Sequence, residues 1–273
     1  MNAGADAISL QDVVVRVDGR TILGPLTLTV RARERWVLLG PNGSGKTTLL
    51  SVAGGRRSPA LGRVDLLGHR VGHGADVRTL WPRIAHTSHL LADAMPPGLR
   101  AEDVVLTGIR SSLSPWMTDH SPSDRERARE LLLRFGCGHL IWRTVATASQ
   151  GERQHVLLAR AAFAHRELLL MDEPCAGLDL PGREDVIAAI DLSANEPSPP
   201  TVVLATHHLE EVPLSVTHAA LLRGGRLVAA GPIQETLVAD PLRECFGIEL
   251  DVRREGGRWQ AKARGPSDPP FKG

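Results

Sequence analysis

Short apolar runs alternate with stretches of helical spacing along this chain, punctuated by glycine and proline. Residues 8–17 alternate apolar and polar positions as a strand does. Asp18-Gly19 supplies a hairpin turn, and residues 21–30 form the returning strand. Arg33-Glu34-Arg35 turns the chain into Trp36-Val37-Leu38-Leu39, an apolar run that reads as a buried strand. A further short strand falls around residues 62–68. Leu168-Leu169-Leu170-Met171 and residues 201–206 are apolar runs typical of central parallel strands covered on both faces. Between them residues 182–192 read as a crossover helix, followed by the linker Pro197-Ser198-Pro199-Pro200. Residues 219–231 read as a hairpin turning at Gly224-Gly225.

The character changes over residues 90–150. Met95-Pro96-Pro97-Gly98 is a loop, and residues 101–109 have helical spacing with Val104, Val105 and Ile109 on one side. Residues 115–122 form a second break. Ser123-Asp124-Arg125-Glu126 then opens a helix with an N-cap and an acidic first turn but without the capping-box glutamate. That helix runs to Phe135 and stops at Gly136 and Gly138. The segment reads as a helical insertion in an α/β domain that covers residues 8–256. Residues 257–273 are polar and rich in glycine and proline, which predicts a disordered tail. No internal repeat is visible.

With 42% hydrophobic residues among 273, the chain can build a sizeable core. Lys+Arg number 32 against 31 Asp+Glu, so no global basic field points to nucleic acid as the main partner. Cys137, Cys175 and Cys245 are far apart and read as small apolar fillers of a protein in a reducing cytosol. The first six residues lack the features of a signal peptide, and no apolar run approaches the roughly 20 residues of a membrane span. The expectation is a protein soluble by itself, which reaches a membrane only through another chain.

The candidate chemistry starts at Gly40-Pro41-Asn42-Gly43-Ser44-Gly45-Lys46-Thr47-Thr48, which fits G-x-x-x-x-G-K-[ST], the phosphate-binding loop. Its glycines let the backbone bend so that successive N–H groups form an anion nest. Lys46 adds a charge for the β/γ-phosphates, and Thr47 is placed to ligate Mg²⁺. An apolar strand precedes the loop and a helix follows, adding its positive end. In the second signal, residues 168–174 (LLLMDEP), a buried-looking strand ends in Asp172-Glu173, at the crevice where open α/β sheets bind nucleotides. Asp172 is placed to hold Mg²⁺ opposite Thr47, and Glu173 to polarise a water in line with the γ-phosphate.

Three further motifs follow in order: Ser149-Gln150-Gly151-Glu152-Arg153-Gln154 before LLLMDEP, then Ala176-Gly177-Leu178-Asp179, then Thr206-His207. With the two above, this series resembles the ABC-type ATPases, the nucleotide-binding subunits of ABC transporters. The resemblance covers about residues 8–256. It implies a P-loop NTPase core with a mostly parallel sheet, an N-terminal antiparallel β subdomain and a helical insertion. It implies ATP and Mg²⁺ as ligands, and Ser149 and Gly151 as contacts to the γ-phosphate bound by a second copy. Alone, Ser-x-Gly-Glu reads as an ordinary capped helix, but a hydroxyl and a bare backbone N–H at a helix N-terminus also make an anion site. The resemblance makes Asp179 the residue that couples the two composite sites and His207 the switch histidine on the γ-phosphate and attacking water. His208 reads as structural or as a helix cap.

Two positions depart from the family's pattern. The region that commonly carries an adenine-stacking aromatic is here Val15-Arg16-Val17-Asp18, with Arg16 or Val17 in its place. The segment Ile84-Ala85-His86-Thr87-Ser88-His89 lacks the usual glutamine, and His89 or Ser88 stands there. The implied partners are a membrane-spanning permease, bound around residues 90–116, and a second ATPase subunit, identical or paired. The implied location is peripheral, on the cytoplasmic face of the cell membrane. The alternative is a soluble ABC-type ATPase acting in regulation, repair or translation. Such chains usually show paired ATPase domains, a coiled-coil insertion or a basic extension, and none is visible here. A third reading, a regulatory module with little turnover, draws on the two departures.

Overall fold

A computed structural model describes residues 5–72, 76–110, 120–164 and 166–264. Strands β1 (Asp6–Val17) and β2 (Arg20–Arg31) form the expected antiparallel hairpin, turning at Asp18 and Gly19, which have φ of 48° and 77°. With β4 (Leu61–Leu66) and the two-residue β5 (His69–Arg70) they make an antiparallel sheet in the order β2-β1-β4-β5.

The larger sheet has the order β10-β9-β3-β8-β7-β6. Its parallel strands are β6 (Ile84–Ser88), β7 (Leu168–Asp172), β8 (Thr201–Thr206), β3 (Arg35–Leu39) and β9 (His218–Arg223), and β10 (Arg226–Pro232) closes it antiparallel through the Gly224-Gly225 turn. Strand β6 lies at the sheet's edge over a segment where alternation gave no strand signal. Arg35, assigned to the entry turn, instead starts β3 and is buried. Its guanidinium donates to the Ile190 carbonyl (2.7 Å) and to the hydroxyls of Ser193 and Ser215 (both 3.0 Å).

Helix α1 (Lys46–Ala53) packs between the two sheets, and Leu49, Leu50, Leu10, Leu23, Leu38 and Leu170 share one apolar core there. A second core belongs to the helical insertion. It gathers α2 (His89–Asp93), α3 (Ala101–Leu106), α4 (Pro122–Arg134) and α5 (Gln150–Phe163) around Val104, Val105, Ala128, Leu132, Val156 and Leu157. Helix α6 (Leu180–Leu192) covers β7 and β8 through Val186, Ile187 and Ile190.

Three expectations change. Helix α4 starts before Ser123: Ser121 is its N-cap and Pro122 occupies its first turn, where a missing N–H costs nothing. Asp124 completes the capping box in place of glutamate, with Ser121 N donating to Asp124 Oδ2 (3.0 Å) and Asp124 N to Ser121 Oγ (3.1 Å). Residues 115–119 of the expected break, and Trp116 of the expected permease-binding segment, lie outside the described residues. The tail is not structureless from 257. After α7 (Ile233–Thr236) and α8 (Ala239–Phe246), β11 (Leu250–Glu255) and β12 (Arg258–Ala263) pair across a Gly256-Gly257 turn. Trp259 of β12 is buried in a core with Val37, Leu39, Leu221 and Leu242, which joins this hairpin to the main domain. Residues 265–273 lie outside the described residues.

Candidate functional site

The parallel strands bring their C-terminal ends to one edge. Ser88 of β6 pairs with Asp172 of β7, Asp172 with Ala205 of β8, and Thr206 of β8 with Leu39 of β3. The loop from Gly40 to Gly45 leaves that edge. At Gly40 an added Cβ would sit 2.2 Å from the Leu222 carbonyl, so only glycine fits. Gly43 (φ 75°) and Gly45 (φ 103°) adopt left-handed backbone, and Gly45 is the N-cap of α1. A second hairpin buttresses the loop: Gly225 N donates to the Ser44 carbonyl (2.9 Å), and Gly24 N donates to the Gly225 carbonyl (2.7 Å). Pro41, Asn42 and Gly43 lie on its outer side, and Thr47 and Thr48 open the helix with Thr47 exposed.

Two groups in this loop test whether it suits phosphate. Ser44 Oγ is buried with no hydrogen-bond partner among the described residues, and a phosphate oxygen would satisfy it. Lys46 is 5% exposed, and its ammonium donates to the carbonyls of Gly40 (2.8 Å) and Pro41 (3.2 Å). Burial pushes it below the usual lysine range, against the opposing pull of Glu173 and Asp172. A buried cation gains from an anion beside it. The loop therefore fits a nucleotide's phosphates. For a hard divalent cation, Asp172 and Thr47 supply one carboxylate and one hydroxyl. No cluster of three or more His, Cys, Asp or Glu that could hold a metal by themselves occurs among the described residues. That donor set suits Mg²⁺, which is bound by few protein oxygens and completed by water and phosphate.

Glu173 follows β7 with φ of 47°, a left-handed conformation that costs a non-glycine residue roughly 1–3 kcal/mol. Its N–H donates to the Ala205 carbonyl (2.9 Å). This aims the carboxylate between Lys46 Nζ (3.9 Å from Oε1) and His207 Nδ1 (3.2 Å). Both side chains keep access to water, Glu173 at 24% and His207 at 30% exposure. They open on a cleft of about 280 Å³ that also includes Gly177, Arg183 and Glu211. Thus Lys46, Asp172, Glu173 and His207 come together as expected.

Ser149, Gly151 and Asp179 do not join them by direct contact. Ser149 is the N-cap of α5 in a complete capping box: Ser149 N donates to Glu152 Oε2 (2.7 Å) and Glu152 N to Ser149 Oγ (3.2 Å). His139 Nε2 braces the same carboxylate at Oε1 (2.6 Å). Gln150 Nε2 donates to the Ala176 carbonyl (3.4 Å), which ties this helix start to the loop carrying Asp179. Asp179 caps α6, accepting from Gly182 N at 3.0 Å.

The departures take definite places. Arg16 and Val17 stand exposed at the end of β1. Ser88 accepts from Leu91 N (3.1 Å) and starts α2 beside Asp172, and the side chain of His89 lies outside the described residues. The His208 ring lies beside that of His207, tilted by 42° with centroids 3.9 Å apart, and His208 is the N-cap of a short 3₁₀ turn.

One pair gave no signal in the chain's pattern. Thr206 Oγ1 donates to the buried Glu211 carboxylate and accepts from His208 N at 3.1 Å, so the two residues either side of His207 are tied to each other. Charge and hydropathy present Glu210-Glu211 as two equal acids, and only burial tells them apart.

Fold and loop together define a P-loop nucleotide-binding protein. The family model described as "ABC transporter" matches residues 23–176. A putative ABC transporter ATP-binding protein of Streptococcus mutans is 34% identical over 245 residues, covering 90% of this chain and 94% of the relative. The cobalt import ATP-binding protein of Rhodobacter capsulatus is 33% identical, covering 88% and 85%. Among solved structures, cbiO1 from Clostridium perfringens, part of the ABC transporter complex cbiONQ by its description, superposes with a TM-score of 0.74 at 22% identity over 88% of this chain and 94% of that one. The chain belongs to the ABC transporter family.

Proposed function

We propose that this chain binds and hydrolyses ATP as the nucleotide-binding subunit that powers transport through a separate membrane-spanning permease. The observation that carries the reading is the Glu173 carboxylate, held in costly backbone geometry at the strand ends between Lys46 and His207. Strain at such a position marks a residue whose orientation matters more than local stability.

In this reading the loop from Gly40 to Thr48 binds the triphosphate through its backbone N–H groups, Ser44 Oγ and Lys46. Glu173 orients the attacking water and His207 fixes the Glu173 carboxylate and contacts the γ-phosphate. Thr47 and Asp172 would hold Mg²⁺, which when bound neutralises charge developing on the phosphates. Ser149 and Gly151, at the head of a 14-residue helix, would complete the site of a second copy, with Asp179 at the seam. No helix of the described residues is long and apolar enough to cross a membrane. The transport path then lies in the permease, with this subunit peripheral on the cytoplasmic face.

Glu173→Gln removes the charge that polarises water and keeps the shape. The expected result is a loss of turnover of about 10²–10⁴-fold with ATP affinity retained. Hydrolysis at the wild-type rate in that variant contradicts the assignment.

A further inference from the structure

The 3₁₀ turn after His207, Leu209–Glu211, meets residues far along the chain. Inside the turn, Glu211 N donates to the His208 carbonyl (3.3 Å), and Val212 N donates to the Leu209 carbonyl (3.1 Å). A single turn is marginal without support from outside it. Leu209 and Val212 supply some of that support, buried in the same core as Trp259 of β12. Arg254 of β11 fixes the hairpin above that anchor: its Nε donates to the Gly257 carbonyl (3.0 Å), and its guanidinium lies 5.5 Å from the centre of the Trp259 ring.

Arg258 of β12 completes the contact. Its Nη2 donates to the backbone carbonyl of Glu210 (2.9 Å) and lies 3.2 Å from the Glu184 carboxylate of α6. The Arg258 side chain is 25% exposed and that of Glu184 47%, so the ion pair adds little by itself. The bond to the carbonyl matters more, because it holds backbone. Glu210 immediately precedes Glu211, whose buried carboxylate accepts from Thr206 Oγ1, and Thr206 Oγ1 accepts from His208 N. This ring of bonds encloses His207, whose Nδ1 lies 3.2 Å from Glu173 Oε1. The other partner, Glu184, lies on the helix that Asp179 caps.

We propose that Arg258 is a positioning residue for ATP hydrolysis, through which the β11–β12 hairpin braces the turn that aims His207 at Glu173. It does not line the cleft on which Glu173 and His207 open, and it acts through Glu210 and Glu211. A guanidinium carries its donors in a fixed plane, so one side chain ties the Glu210 backbone to α6 with little freedom left between them. The role deepens the ATPase reading and rests on it.

The test compares the full chain with its Arg258→Ala and Arg258→Lys variants. Hydrogen exchange reads the brace: amides over residues 208–212 should exchange roughly five-fold faster in Arg258→Ala, with those of the phosphate-binding loop unchanged. Steady-state hydrolysis reads the consequence: kcat should fall roughly five-fold with ATP affinity unchanged, and Arg258→Lys, which keeps a donor, should recover most of it. Adding Arg258→Ala to Glu211→Ala should lower kcat no further, because both act through one segment. Unchanged exchange in Arg258→Ala overturns the brace whether or not the chain hydrolyses ATP. Faster exchange with full kcat, or an equal loss of affinity and kcat, overturns the positioning role. Faster exchange in Arg258→Ala beside a wild-type chain that binds ATP without turning it over overturns the ATPase reading, and the role with it.

Discussion

At the scale of single residues, the site depends on side chains whose orientation is imposed by their neighbours. His207 sits between two backbone constraints because Thr206 is tied to Glu211 and receives the N–H of His208. Glu211→Ala leaves the Thr206 hydroxyl without its acceptor and frees the segment carrying His207. The expected outcome is about a ten-fold fall in kcat with nucleotide affinity unchanged, and recovery of most of it in Glu211→Gln, which keeps an acceptor oxygen. Steady-state kinetics beside a nucleotide titration checks this, since a merely structural loss would move both. His86 offers a pH signature. Its proton affinity is pushed from the ordinary 6.5 to about 4, so between these values the unfolded chain takes up a proton that the folded chain refuses. Stability is then complete above about pH 6.5 and falls as pH drops towards 4, by an amount on the order of 3 kcal/mol. Thermal melts against pH should show this fall, and His86→Gln should flatten it.

At the scale of elements, the chain's local signals are legible where they are chemical and silent where they depend on packing. The phosphate-binding loop, the strand ending in Asp172 and the hairpin turns at Asp18-Gly19 and Gly224-Gly225 were legible because glycines and carboxylates there have specific conformational or ionic work. Strand β6 was not, because Ile84-Ala85-His86-Thr87-Ser88 becomes a strand only by pairing with β7. The β11–β12 hairpin is not legible because its exposed face is polar and only a few side chains, Leu250, Val252 and Trp259, join the core. The pattern places the start of α4 too late because proline signals a break, although Pro122 suits the first helical turn. The left-handed backbone of Glu173 and the burial of Glu211 are tertiary facts that no local pattern encodes. The capping box of α4 gives an element-scale prediction. Ser121→Ala should cost about 1 kcal/mol in chemical denaturation while leaving hydrolysis unchanged. Loss of activity without loss of stability would place that helix start in the site instead.

At the scale of the whole molecule, the proposed function gives one chain two unlike half-sites. One is the cluster of Lys46, Asp172, Glu173 and His207 at the strand ends, and the other is the helix start at Ser149-Gly151, whose polar groups are engaged locally. In the proposed reading, a second copy related by two-fold symmetry would place each half-site against its complement, with two ATP molecules at one interface. The measurement that tests this most directly is the mass of the Glu173→Gln protein by light scattering, with and without ATP and Mg²⁺. Blocked turnover should trap the closed pair, so the mass should double on adding ATP and stay single with Ser149→Arg in the same chain. A single-chain mass at saturating ATP would contradict the composite site.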